Sequence, residues 1–296
     1  MKRLSRVLCA VAIDDRDRAV FAQALALARR HDAQLLLLHA ASPQVSFNRG
    51  ATERVDFLRQ LRALADVAGI DIRVTVQTGP VDEIILLHAR ARQVDLIVLG
   101  AAHNKETRRG LSGWIAERVL RDAPCPTLVV TRTSAPHEST AGAVLCAVDF
   151  SPASQAAVGV AMEMSEHGTR PATLLHVVES GGTGRQSVHR WIGEAEFDRE
   201  LGADALKKLR SLIPPSARGA VMARVAVGEP VSEILRAARR INAGLLIIGA
   251  ARRTRIGSRL FGNTGQLIRD ARCPILAVPA LEAAREETEH LTRLAA

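Results

Sequence analysis

The pentapeptide VLCAV occurs twice in this chain, as Val7–Val11 and as Val144–Val148. The segment Leu36-Leu-Leu-His39 recurs as Thr173-Leu-Leu-His176, and the copies are 137 residues apart in both cases. Three further segments repeat in the same order: Thr78–Ile84 with Val227–Ile234, Asp95–Ala101 with Gly244–Ala250, and Cys125-Pro126 with Cys273-Pro274. Five ordered matches indicate a tandem duplication of one module.

Within each copy, short apolar runs alternate with amphipathic helical stretches, the pattern of βαβ units and a parallel sheet. The pattern predicts strands near 5–12, 34–40, 71–77, 95–99, 126–131, 143–149, 172–179, 219–227, 244–249 and 274–279. It predicts helices near 16–31, 51–68, 80–93, 113–122, 151–167, 188–212, 229–242 and 262–270. The fold class is therefore α/β, with two doubly wound, Rossmann-like, five-stranded parallel-sheet domains in tandem.

The predicted domain boundaries are 1–135 and 143–296. The linker is Thr131–Gly142, where polar residues and proline replace the apolar pattern. The second copy carries about twelve extra residues around Gly181–Trp191, and Leu281–Ala296 is predicted to form a C-terminal helix or a frayed tail.

Composition narrows the class of protein. Apolar residues make up 47% and charged residues 24%, as in globular proteins, and the apolar runs are too short to span a membrane. No secretory signal segment is recognised, so a cytoplasmic location is expected. The net charge of +9 comes from arginine, but aromatics are only 3% with no tyrosine, which argues against nucleic acid. Arg236, Arg239 and Arg240 are interpreted as a solvated helix face.

The cysteines and the repeated histidines favour structural roles. Each cysteine lies in or beside an apolar run, so buried, reduced thiols are predicted for Cys9, Cys125, Cys146 and Cys273. His39 and His176 each follow an apolar strand, which favours a hydrogen-bonded structural histidine over a metal ligand or a catalytic base.

The segment after the fourth strand resembles a known motif. Gly100 and Gly113 are 13 residues apart, as are Gly249 and Gly262. This is the outer spacing of Gly-x2-Gly-x9-Gly-Ser/Thr, the ATP motif of the universal stress protein family. The segments Ala116–Pro126 and Ala147–Ser154 are also similar to that family. Residues 5–131 and 143–280 resemble it, which implies a phosphate-binding loop and helix start after the fourth strand.

The first copy departs from the motif at each position that would contact a nucleotide. His103 replaces the middle glycine, Trp114 replaces the Ser/Thr, and Ala12 replaces the acid that ends the first strand. Asp14 and Asp15 follow two and three positions too late to substitute for that acid. We expect the first nucleotide site to be degenerate.

The second copy keeps more of the motif. It retains Asp149, Gly249, Gly262 and the polar pair Asn263-Thr264, but Arg252 replaces the middle glycine. Its loop also carries Arg253, Arg255 and Arg259, whose guanidinium groups suit phosphate oxygens; a basic surface loop without a ligand is the alternative. The resemblance implies Val177 beside the base, Asp149 beside the nucleoside, and ATP or a related nucleotide with its Mg²⁺ in this domain.

A regulatory or sensing protein that binds a nucleotide without catalysis is the leading functional hypothesis. The alternatives are a partner-binding protein with both nucleotide sites decayed, a slow ATPase, and a nucleic-acid binder supported only by charge. We also expect an intrachain pseudo-dimer, with Thr127–Thr131 packed against Ile275–Pro279 because open apolar edge strands invite pairing. A further homodimer and an unidentified protein partner remain open.

Overall fold

A computed structural model of the chain describes residues 3–12, 17–41, 51–101, 114–131, 142–166, 170–179, 194–250 and 261–280. Four segments for which the sequence makes predictions lie outside the described residues. They are the linker, the insertion at Gly181–Trp191, the arginine loop 251–260 and the C-terminal tail. Asp14, Asp15, His103 and Gly113 also lie outside them, as do the side chains of Trp114 and Asn263.

The first domain alternates strands and helices. Its strands are β1 (Arg6–Val11), β2 (Gln34–Ala41), β3 (Ile72–Thr78), β4 (Leu96–Gly100) and β5 (Thr127–Val130). Its helices are α1 (Asp17–His31), α2 (Ala51–Val67), α3 (Val81–Ala91) and α4 (Trp114–Asp122). Every predicted element of this domain is present, with ends shifted by one or two residues.

The second domain repeats this order. Its strands are β6 (Ala143–Ala147), β7 (Ala172–Val178), β8 (Val221–Val227), β9 (Ala243–Ala250) and β10 (Ile275–Pro279). Its helices are α5 (Pro152–Glu166), α6 (Glu194–Ser211), α7 (Pro230–Arg240) and α8 (Phe261–Asp270). A short 3-10 turn at Pro215–Ala217, which the sequence pattern does not predict, precedes β8.

A sharp turn at the end of the third strand of each domain has a simple cause. Gly79 follows β3 with φ 151° and Gly228 follows β8 with φ 150°. Residues other than glycine rarely adopt this backbone conformation. The chain can therefore reverse there into α3 and α7. Glu229 then caps α7 by accepting hydrogen bonds from the backbone N–H groups of Val231 and Ser232.

All ten strands form one sheet, in the order β3-β2-β1-β4-β5-β10-β9-β6-β7-β8. Each domain contributes five parallel strands, and the halves meet where β5 pairs antiparallel with β10. In that pairing Val129 lies opposite Ile275 and Thr127 lies opposite Ala277. The predicted pairing of the fifth strands is thus confirmed. Because the pair is antiparallel, the carboxyl edges of the two half-sheets point in opposite directions.

The helices cover both faces of the sheet and create two apolar layers. One face packs against α1, α2, α5 and α6, with Phe21, Leu61 and Leu209 fully buried. The other face packs against α3, α4, α7 and α8, with Val119, Ile234 and Leu267 at its centre. All four cysteines are free and buried, as predicted. None of the helices in the described part of the chain has the length and apolar character needed to cross a bilayer.

Candidate functional site

The crevice that the fold offers to a ligand in the second domain lies between β6 and β9. The chain proceeds from β6 to β7 and β8 on one side of β6, whereas β9 and β10 lie on the other side. In doubly wound sheets, ligands bind outside the carboxyl ends of the strands at this reversal of order. Asp149 follows β6 there, and Gly249 lies near the end of β9.

Asp149 is held in place by the start of α5. Its Oδ1 atom accepts a hydrogen bond from the backbone N–H of Ser151 at 3.0 Å. Ser151 in turn caps the helix, because its Oγ accepts the N–H of Ser154 at 3.2 Å. Asp149 is half-buried, and Ser151 is the only donor to its carboxylate among the described residues. One carboxylate oxygen is therefore fixed, and the other remains available to accept a hydrogen bond at the crevice.

Phe150 makes this turn and adopts an unusual backbone conformation. Its φ is 62°, the left-handed region that costs a non-glycine residue about 1 kcal/mol or more. Packing around its ring compensates: the centroid lies 4.6 Å from that of His176 and 4.3 Å from the Nζ atom of Lys208. The ammonium group over the aromatic face adds a cation–π attraction. This arrangement fixes the direction in which Asp149 leaves β6.

Gly249 is placed at the closest approach between strand and helix. A Cβ atom on this residue would lie 2.6 Å from the carbonyl carbon of Ala153 and 2.8 Å from the Cα of Ser154, both backbone atoms of α5. Only a glycine allows β9 to pack this closely against the first turn of α5, where Ser154 is completely buried. Packing therefore accounts for Gly249 whether or not a ligand binds.

The other predicted residues surround the same edge of the sheet. Val177 is half-buried at the end of β7. Ala147 of β6 pairs with Leu175 of β7, and two residues further along in the same register Asp149 comes beside Val177. Gly262 and Asn263 lie in the first turn of α8, which must begin at the carboxyl edge because it leads back to the parallel strand β10. Arg252 lies outside the described residues, so its role stays a prediction.

Thr264 differs from the expectation of a phosphate-contacting hydroxyl. It is only 4% exposed in the first turn of α8 and already has a polar partner within the protein. Backbone N–H groups at the start of α8 are better placed to meet an anion, because the first four of a helix lack intrahelical acceptors.

The corresponding edge of the first domain is built differently. Ala12 follows β1 without a carboxylate, and among the described residues only the Cγ2 of Val20, at 3.2 Å, lies near the position of a Cβ on Gly100. Asp17 is buried at the start of α1, at the position that Ser154 occupies in α5. The degenerate site predicted for this domain is consistent with Ala12 and remains a prediction.

Both repeated histidines have the structural role that the sequence predicts. The Nδ1 atom of His39 lies 2.9 Å from the carbonyl oxygen of Val11, and that of His176 lies 2.7 Å from the carbonyl oxygen of Val148. Since a carbonyl can only accept, Nδ1 is the protonated nitrogen in each ring. Each histidine ties the second strand of its domain to the end of the first.

Sequence reasoning missed the ring cluster of Phe150, His176 and Lys208. The signal was local but weak: an aromatic residue directly after a strand-ending acid. The sequence also provided no prediction of a contact between the two domains. In this contact the carboxylate of Glu117 in α4 lies against the Cα of Gly265 in α8. The glycine in the middle of a helix was the available signal for such a close approach.

Two doubly wound halves of one sheet, each with a crevice at its switch point, define an α/β protein of Rossmann-like architecture. Residues 4–131 and 141–279 match the sequence profile of the universal stress protein family. These two matches cover most of the chain, which therefore belongs to the universal stress protein family as a tandem member.

Individual relatives agree with this assignment. The chain is 35% identical over 81 residues to a universal stress protein of Methanocaldococcus jannaschii, a match that covers 27% of this chain and 47% of that protein. It is 29% identical over 142 residues to universal stress protein A homolog 2 of Coxiella burnetii, covering 44% of this chain and 97% of that protein. The crystal structure of a universal stress protein from Archaeoglobus fulgidus superimposes with a TM-score of 0.63 at 18% identity, covering 93% and 96% of the two chains, and so shares the tandem fold.

Proposed function

We propose that this chain is a regulatory or sensing protein of the stress response that binds ATP or a related nucleotide in its second domain without transforming it. The nucleotide lies across the carboxyl ends of β6 and β9. The observation that carries this proposal is the carboxylate of Asp149 at the crevice, one oxygen of which accepts the backbone N–H of Ser151. We assign its other oxygen to the ligand.

The remaining residues of the crevice suit the parts of a nucleotide. Asp149 accepts a hydrogen bond from a ribose hydroxyl or from a base N–H group, and Val177 contributes apolar contact beside the base. The backbone N–H groups of Gly262 and Asn263 meet the phosphates at the positive end of α8. Arg252 clamps the phosphates from the loop, and Mg²⁺ accompanies them as part of the bound nucleotide.

The absence of catalysis rests on the composition of the crevice. Phosphoryl transfer needs a residue that orients the nucleophile and further groups that stabilise the transferring phosphoryl group. Asp149 is the carboxylate that the described residues place at the ends of β6 and β9, and the nearby His176 and Lys208 are engaged with the carbonyl of Val148 and the ring of Phe150. A slow ATPase is the weaker alternative for this reason.

A second candidate is a partner-binding protein in which both nucleotide sites have decayed. Two observations favour it: packing alone explains Gly249, and Thr264 is buried. Mass spectrometry of small molecules released from the freshly purified protein separates the candidates, because a retained nucleotide is expected only if the crevice functions.

The affinity for ATP of Asp149→Asn and Asp149→Ala tests the proposed site directly. Asparagine keeps an oxygen that can accept the N–H of Ser151 but removes the charge, whereas alanine removes both. We expect Asp149→Asn to weaken ATP binding by about 1.5–3 kcal/mol, roughly ten- to a hundredfold, with little loss of stability. Isothermal titration calorimetry of the full chain gives the affinities, and thermal unfolding gives the stabilities.

The first domain supplies a matched control. Ala12→Asp installs a carboxylate at the corresponding position and should leave the affinity of the second domain unchanged. If the parent binds ATP and Asp149→Asn binds equally well, the nucleotide does not use this crevice. If neither bound nucleotide nor titration heat is found for the parent, the partner-binding alternative replaces the proposal.

A further inference from the structure

The outer surface of the second domain contains a groove between α7 and α8. Its volume is about 620 Å³, and it is open to solvent along its length. Arg236 and Arg239 line it from α7, and Arg269 and Arg272 line it from the end of α8 and the residues beyond. This groove lies on the helix layer, away from the crevice at the strand ends.

Three of these arginines form no ion pair with the described residues, although the carboxylate of Glu117 and the guanidinium of Arg269 both lie beside Gly265. Arg236 forms an ion pair with Glu233 at 2.7 Å. Arg239, Arg269 and Arg272 are exposed and form no ion pair or side-chain hydrogen bond among the described residues. Like charges gathered in one groove repel one another, so the arrangement gains free energy when an anion enters.

The duplication provides an internal comparison, because the first domain has the same two helices. Counting from Gly79 and Gly228 for one helix, and from Cys125 and Cys273 for the other, pairs the positions. Leu87 corresponds to Arg236, Pro124 to Arg272, Arg90 to Arg239 and Arg121 to Arg269. Two of the four arginines are therefore absent from the first domain.

The arginines of the first domain are also engaged within the fold. The Nη2 atom of Arg90 donates to the carbonyl oxygen of Asp122 at 3.0 Å, and Arg121 pairs with the carboxylate of Asp122 at 3.2 Å. Arg118 pairs with the buried Asp82 at 2.7 Å. In the second domain, Gln266 and Val231 replace this last pair. The same groove is thus internally neutralised in one domain and left cationic in the other.

We propose that the α7–α8 groove binds an acidic segment of a partner protein through its carboxylates. Guanidinium groups pair with carboxylates by two parallel hydrogen bonds, which suits the four arginines. An open groove cannot enclose a small ligand as binding pockets do. Its lining contains a single apolar side chain, Leu235, so an apolar helix face has little to contact.

The polar residues of the groove favour a peptide over a continuous phosphate chain. Gln266 offers a neutral donor and acceptor to a peptide backbone. Asp270, also in the lining, would repel an uninterrupted run of phosphates but can accept a backbone N–H. Within the residues that the structure describes, no aromatic side chain lines the groove to stack on bases.

Fluorescence anisotropy with the full chain and a labelled peptide rich in Glu and Asp tests this proposal. The same peptide with Gln and Asn in place of the acids is the neutral probe. We expect the acidic peptide to bind and the neutral one not to, with affinity falling as salt is raised. The double variant Arg239→Ala/Arg269→Ala should weaken binding about tenfold.

The control variant Arg210→Ala/Arg224→Ala removes the same charge from exposed positions outside the groove, on α6 and β8. It should bind the acidic peptide like the parent, and thermal unfolding should show that both double variants remain folded. Equal weakening by the two variants, or no binding by the parent, would overturn the proposal. So would tighter binding of inorganic tripolyphosphate or duplex DNA than of the acidic peptide. Asp149→Asn should not alter peptide binding, which separates this groove from the nucleotide proposal.

Discussion

Replacing Gly249 by alanine probes the close backbone contact between β9 and α5. The added Cβ would lie 2.6 Å and 2.8 Å from backbone atoms of Ala153 and Ser154, distances that real Cβ atoms essentially never show. Neither neighbour can rotate away, because both belong to the backbone of α5. The substitution therefore has to push α5 away from β9.

The expected cost follows from this geometry. Overpacking a close-packed interior by one carbon destabilises proteins by about 1–3 kcal/mol, and the backbone contact here favours the upper half of that range. For a domain of this size, each kcal/mol lowers the melting temperature by about 2–4 °C. Gly249→Ala should therefore unfold several degrees below the parent in a thermal scan followed by circular dichroism.

Gly100→Ala is the matched control in the first domain. Within the described part of the chain its Cβ would meet only the Cγ2 atom of Val20, at 3.2 Å, and a side-chain methyl group can shift by a few tenths of an ångström. We expect this variant to lose less than about 1 kcal/mol. If the two variants melt at the same temperature, packing against α5 does not explain Gly249, and a ligand role becomes its better explanation.

Two further predictions concern protonation. Hydrogen bonds, chiefly from Ser232 and also from the backbone N–H of Val231, hold the pKa of Glu229 below its ordinary value of 4.5. The stabilisation by this cap is therefore present above about pH 4.5 and disappears as the pH falls through the folded-state pKa of Glu229. Glu229→Ala should lower the free energy of unfolding by about 0.5–1 kcal/mol at neutral pH and leave it unchanged in strong acid, as measured by urea denaturation at each pH. Burial raises the pKa of Cys125 to about 12 and that of Cys273 to about 11, and also raises the pKa values of Cys9 and Cys146. A thiol reagent at mildly alkaline pH should then label all four cysteines in urea and none in the native protein, and rapid labelling of the native protein would contradict their burial.

The fold could be predicted almost completely from the sequence, for a physical reason. Strands such as Leu96–Gly100 and Leu245–Ile248 are buried on both faces and appear as short continuous apolar runs between amphipathic helices. Because the module is duplicated, each strand and helix occurs twice in the sequence, and comparing the two copies helps to locate its first and last residues. The pairing of β5 with β10 could be anticipated as well, because two apolar edge strands in one chain can satisfy each other.

The details of the site could be predicted less well, because they depend on contacts between distant segments. Gly249 looks in sequence like a ligand-binding glycine, and only the packing of β9 against α5 shows its steric role. Thr264 looks like an exposed hydroxyl at a helix start, but the way α8 lies on the sheet buries it. The cationic groove likewise combines arginines from two helices that are some 30 residues apart in sequence. Considered one helix at a time, these arginines indicate only a solvated helix face.

The pairing of β5 with β10 also determines how the two domains can influence each other. It places the crevices at opposite edges of one sheet, so a ligand in the second domain cannot contact the first. The start of α8 is the part of the proposed site nearest to the other domain, since Gly265 follows Gly262 by less than one helical turn and lies against Glu117 of α4. Any signal from the second crevice to the first domain has a short path through this contact, and Glu117→Ala is the substitution that would remove it without touching the crevice.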